Sequence, residues 1–253
     1  MSRLSKVFKD SAKIAYLTAG DGGEKSIDYF LALAKGGANV LEIGIPFSDP
    51  VADGPSIQLA MERALSTGTN IDEVLKLVAG VRARTDAAII IFTYYNPIFH
   101  DLENFLKKIK DAGADGVLVV DLPFEENENL RFLCNKLDLA PIMVASPSTP
   151  LERVKLLSEN SSGFLYYACR KGTTGVKSDL PEDIPQQIKL VKEHSSLPVA
   201  VGFGVSNSDM VKKLLSIADG CVIGSYFVNA IANGKTPHEL EIMAKEVFNV
   251  IPD

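Results

Sequence analysis

The sequence has 253 residues, 26 Lys and Arg against 32 Asp and Glu, and a formal net charge of -6. This balance argues against a nucleic-acid partner, which needs clustered basic side chains. Hydrophobic residues make up 46%, enough for a sizeable core, yet no apolar run approaches the roughly 20 residues of a membrane span.

Short apolar runs alternate with amphipathic ones along the chain. The N-terminus, Met1 to Lys9, reads as a short amphipathic helix rather than a secretion signal. Ile14 to Thr18 is the first expected strand, followed by a helix on Ile27, Phe30, Leu31 and Ala34 that Gly36 and Gly37 stop. The second strand is Val40 to Ile45, with helices from Ser56 to Leu65 and from about Asp72 to Arg82. Ala87 to Tyr95 is the third strand, and Leu102, Phe105, Leu106 and Ile109 mark its helix. On that helix Lys107, Lys108 and Lys110 read as a solvated face.

Val117 to Asp121 gives the fourth strand, with a helix ending near Leu137. Pro141 to Ala145 gives the fifth, with a helix from Leu151. The sixth is Phe164 to Ala168, with a helix through Ile188 and Val191. Pro198 to Gly202 is the seventh, with a helix around Val211, Leu214 and Leu215. Cys221 to Ile223 is the eighth, and a helix from Leu240 to Val247 closes the chain. Such runs are apolar on both faces, as parallel strands under helices are. Eight units in this length favour an α/β fold of the (β/α)8 TIM-barrel type over an open doubly wound sheet. No linker or composition break divides residues 1–253, so one domain is expected. Cys134, Cys169 and Cys221 lack CxxC spacing, which fits a reducing, cytoplasmic setting.

In such a barrel the site lies at the C-terminal strand ends. Glu42 sits inside an apolar strand, where an ionisable group is either structurally paired or used as a general acid/base. The loop after it carries Asp49, Pro50, Asp53, Gly54 and Pro55, residues that by themselves read as a solvated turn. Tyr166 and Tyr167 must face opposite sides of their strand. Gly202, Gly204 and Gly224 with Ser225 end strands seven and eight, where these barrels commonly bind phosphate. His100, His194 and His238 are scattered surface or loop residues, and nothing points to a metal site.

The run Leu41 to Pro55, LEIGIPFSDPVADGP, closely resembles the signature of tryptophan synthase α chains. Further matching segments follow in family order: Thr18 to Gly20, Tyr94 to Pro97, Val119 to Glu126, Gly172 to Gly175, Gly202 to Ser206 and Val222 to Ser225. The resemblance implies cleavage of indole-3-glycerol phosphate to indole and glyceraldehyde 3-phosphate. It assigns Glu42 as the acid/base, Asp53 as the second carboxylate and Tyr166 as the tyrosine beside the substrate. Gly175, Gly204, Gly224 and Ser225 match the phosphate cradle. Thr174 matches a lid threonine, and Phe203, Phe92 and Val120 match the indole pocket. Asp49 and Pro50 match the segment facing the β subunit. No cofactor is implied for this chain; pyridoxal phosphate belongs to the β partner of an α2β2 complex. Cys169, Thr173 and Tyr226 depart from the family pattern, which raises a second reading: a weakly catalytic subunit that mainly activates its partner.

Overall fold

The computed structural model describes residues 2–169, 183–202, 204–205 and 207–249. Eight strands alternate with helices: β1 (Ala12–Thr18), β2 (Val40–Gly44), β3 (Ala88–Thr93), β4 (Gly116–Val119), β5 (Ala140–Ala145), β6 (Leu165–Ala168), β7 (Val199–Gly202) and β8 (Gly220–Ile223). Each strand pairs in parallel with the next, and β8 returns to β1, closing the barrel. Every residue of β2 and β3 is buried, as strands enclosed on both faces must be. Among the described residues, no helix is long and apolar enough to cross a membrane.

The base of the barrel repeats one device four times. Asn39 Oδ1 accepts the Lys13 N–H at 2.7 Å, and Asp115 Oδ2 accepts the Ile89 N–H at 2.9 Å. Ser161 Oγ accepts the Met143 N–H at 3.2 Å, and Asp219 Oδ2 accepts the Val199 N–H at 2.8 Å. A polar side chain before each even strand thus accepts an N–H near the start of the preceding odd strand, supplying a partner that buried backbone requires. Arg82 reinforces Asp115 at 2.9 Å and donates to the carbonyls of Gly113, Thr85 and Ala87. The N-terminal helix Arg3–Val7 covers this end: Leu4 is buried, and the Phe8 and Phe164 rings lie 5.1 Å apart.

The top end departs from the sequence expectation in three places. β3 stops at Thr93 because Tyr94 and Tyr95 lead into a helix, Asn96–Phe99, with Pro97 in its first turn. β4 stops at Val119, and Asp121 instead accepts the Tyr95 N–H at 2.7 Å from its loop. A helix that the strand pattern did not separate, Ser225–Ala232, follows β8 directly.

Arg82 and Asp115 expose only 15% and 12% of their side chains. Removing one partner of such a pair strands the other charge, at a cost of about 3 kcal/mol. Asp115→Ala is therefore expected to lower unfolding stability by about that much in urea titration; a loss under ~1 kcal/mol would mean that the base network contributes little.

Candidate active site

Glu42 lies mid-strand in β2, between Tyr16 of β1 and Ile90 of β3 in the ladder. It is 1% exposed, and its Oε1 is buried with no hydrogen-bond partner among the described residues. Desolvation raises its pKa to about 8, since an apolar wall disfavours the charged form. Of the two readings open from the sequence, structural pairing or chemistry, the orphaned oxygen favours chemistry.

Asp53 belongs to the loop that a turn reading would leave in water, yet it is 3% exposed. The cause is Tyr94. Its hydroxyl donates to Asp53 Oδ2 at 2.6 Å and accepts the Ala52 N–H at 3.0 Å. The ring packs 5.1 Å from Phe47, and Gln58 reaches back to the Asp53 carbonyl at 2.9 Å. These contacts fold the loop over the barrel mouth. Burial raises the Asp53 pKa to about 6, against the lowering effect of the Tyr94 hydrogen bond.

Two tyrosines flank the carboxyls. Tyr166 of β6 faces inward and Tyr167 outward, where its hydroxyl donates to Gln187 at 3.2 Å. A side chain at Gly202 would collide with the Tyr166 hydroxyl, so this glycine makes room for the ring. Gly44 does the same for Tyr16, whose hydroxyl shares a 3.2 Å hydrogen bond with Thr18 and whose ring meets Phe92 edge-on at 5.4 Å. Burial raises both tyrosine pKa values, so both hydroxyls stay protonated.

One cleft of about 870 Å³, its open mouth included, collects these groups. Glu42, Asp53, Tyr166, Phe92, Val120, Gly204, Gly224 and Ser225, all singled out from the sequence, line it. Tyr16, Ile57, Val144 and Val222 join them as lining residues that the sequence reading did not single out. Gly224 precedes the helix Ser225–Ala232, and the buried Ser225 opens that helix at this end of the cleft. Thr174, Gly175 and Phe203 lie outside the described residues. Asp49 and Pro50 are not in this cleft; they line a separate surface groove with Val51, 77% exposed, and Leu59, 54% exposed. Cys169 is buried with its N–H on the Gly202 carbonyl, and Tyr226 packs edge-on to Phe227. The three histidines are exposed, two of them within helices. Among the described residues, no three His, Cys, Asp or Glu side chains gather as metal ligands would.

A family model described as tryptophan synthase alpha chain matches residues 3–250. A tryptophan synthase alpha chain of Coxiella burnetii (strain CbuK_Q154) is 49% identical over 249 residues, covering 98% of this chain and 97% of its own. One from Thermoanaerobacter sp. (strain X514) is 39% identical over 248 residues, covering 95% and 94%. In solved structures, Mycobacterium tuberculosis tryptophan synthase superposes with a TM-score of 0.90 at 30% identity, covering 98% and 97%. A chain of the tryptophan synthase complex from Pyrococcus furiosus superposes at 0.87 with 34% identity, covering 95% and 99%.

The raised Glu42 pKa has a stability consequence. Below pH 4.5 the carboxyl is protonated in both folded and unfolded chains. Between 4.5 and about 8 the unfolded chain releases its proton while the folded one keeps it, so stability falls as pH rises. The slope contributed is up to about 1.4 kcal/mol per pH unit. Glu42→Gln should therefore raise Tm at pH 8, by about 2–4 °C per kcal/mol gained, with the gain vanishing toward pH 4.5. An equal Tm difference at both ends of that range would contradict the assignment.

Proposed function

The chain belongs to the tryptophan synthase α chain family, and from that premise we propose that Glu42 and Asp53 divide the proton work of its reaction between them. The family activity is that of an indole-3-glycerol-phosphate lyase in tryptophan biosynthesis, and the chain is such a carbon–carbon lyase. Indole-3-glycerol phosphate is cleaved to indole and glyceraldehyde 3-phosphate.

The ring carbon bearing the side chain must gain a proton before the carbon–carbon bond breaks. The adjacent hydroxyl must then lose one as it becomes an aldehyde. Glu42, neutral near pH 7 by burial, is poised to give the first proton; the carboxylate so formed takes the second. Protonating the ring carbon leaves a cation delocalised onto the ring nitrogen. Asp53, ionised first because its pKa is about 6, stabilises that cation through the N–H. Tyr166 closes the wall beside the reacting atoms. Gly204, Gly224, Ser225 and Gly175 cradle the phosphate, whose binding energy orients the substrate. Phe92 and Val120 hold the indole ring; the family resemblance adds Phe203 to that pocket and gives Thr174 the role of a lid residue. The observation carrying this reading is the orphaned, fully buried Glu42 oxygen in the same cleft as a tyrosine-held Asp53.

The whole chain acts as one domain in this reading. It needs no cofactor of its own, and pyridoxal phosphate resides in the β subunit. The groove with Asp49, Pro50, Val51 and Leu59 faces that subunit in an α2β2 assembly. The setting is the cytoplasm, where the buried free thiols of Cys134, Cys169 and Cys221 stay reduced.

Indole release from indole-3-glycerol phosphate, with and without the β subunit, tests the assignment. Glu42→Gln should abolish release while leaving the fold intact; persistent release would remove Glu42 from the chemistry. Tyr94→Phe separates positioning from binding. It takes a hydrogen bond from Asp53, so kcat should fall about tenfold or more with KM little changed. The acid limb of the pH profile should also move up, because the bond that lowers the Asp53 pKa is gone. An unmoved acid limb would mean that Tyr94 only packs.

A further inference from the structure

The cleft has two distinct ends. Gly204, Gly224 and Ser225 follow β7 and β8, and in a closed order of eight strands β3 and β4 stand opposite them. A phosphate seated at β7 and β8 therefore directs the rest of a substrate toward Phe92 on β3, Val120 after β4 and Val144 on β5. Val120 and Val144 are neighbours: Leu118 pairs with Ile142, Val144 lies two residues further along β5, and Val120 lies two residues further along the chain, just past the end of β4.

These two valines also face a second cleft. Val120 and Val144 line both the central cleft and a cleft beneath the loops that follow β4 and β5, which Asp121, Ser146, Thr149 and Arg153 complete. The two valines thus stand between the two spaces. The polar wall beyond is already engaged internally. Arg153 holds Glu125 at 2.6 and 2.9 Å, and the Ser146 N–H donates to Thr149 Oγ1 at 3.0 Å. Valine has a stiff side chain, and the strands beneath are close-packed, so the partition does not yield easily to an added atom.

We propose that Val120 and Val144 are specificity-determining residues that reject indole-3-glycerol phosphates substituted on the benzo ring. The inference rests on the lyase reading and extends it to the aromatic part of the substrate. A difference of one methyl-sized group in an apolar pocket is worth on the order of 10–200-fold in kcat/KM. Truncating either valine joins the two clefts and supplies the missing space.

The test compares kcat/KM for the parent substrate with that for analogues carrying one chlorine at each benzo-ring carbon in turn. It uses the full chain with its β subunit, as wild type, Val120→Ala, Val144→Ala, Val120→Thr and Val120→Leu. For at least one ring position, the ratio of analogue to parent should rise about tenfold or more in an alanine variant. Val120→Thr keeps the side-chain volume and should leave that ratio unchanged. Val120→Leu narrows the space and should lower it, which gives a readout even where a truncated chain fails to fold. Parent cleavage with every ratio unchanged across the alanine and leucine variants would overturn the partition. No parent cleavage by wild type would overturn the lyase reading itself, which keeps the two failures distinct.

Discussion

A carboxyl group buried in a strand of an otherwise apolar barrel is the constraint around which the mouth of this molecule is organised. Among the described residues Glu42 has neither an ion-pair partner nor a hydrogen bond for Oε1. An unpaired charge in that position costs several kcal/mol, so the proton stays on instead. The strands on either side must tolerate this group without collapsing onto it. They do so by covering it with tyrosine rings rather than with pairing charges. Tyr16 and Tyr166 each lie where a glycine on a neighbouring strand, Gly44 or Gly202, leaves the volume that a Cβ would fill.

The two ends of the barrel handle polarity in opposite ways. At the base, Asn39, Asp115, Ser161 and Asp219 each accept a backbone N–H of an odd strand, and two of them also meet a cation. Polar groups there are paired and stabilise the closure. At the mouth, polarity is left partly unsatisfied, which is what a site awaiting a ligand's donors requires. Asp53 stands between the two conditions. One of its oxygens is held by Tyr94, while the carboxyl as a whole remains desolvated enough to titrate near 6.

The fold was largely legible because each strand is apolar on both faces and each helix has one apolar stripe. These are local properties of a run of residues. Glu42 stood out for the same reason, as a charge in an apolar run. The strand ends were less legible: Val119 and Thr93 end their ladders because of loop contacts made elsewhere, including the bond from the Tyr95 N–H to Asp121. The helix Ser225–Ala232 follows β8 with only Gly224 between them, so its apolar residues run on closely from those of the strand. The role of Tyr94 was out of reach. Its position 41 residues after Asp53 carries no pattern, and only the adjacency of β2 and β3 brings the two together. Gly202 is a similar case. Its sequence position fits ligand approach, whereas its surroundings show that it accommodates Tyr166.

Unequal titration gives the two carboxyls their order of action. In one small cleft the first group to ionise makes the second harder to ionise. Asp53 goes first, because it is less completely desolvated than Glu42 and because Tyr94 supplies a hydrogen bond to its charged form. Near neutral pH the free site therefore holds one negative charge and one transferable proton, in different places. Exchanging the two environments would leave the charge where a proton is needed, and the proton where a cation must be stabilised. The fuller burial of Glu42, together with the Tyr94 hydroxyl placed on Asp53 from just past β3, is thus what separates an acid from a counter-charge in this barrel.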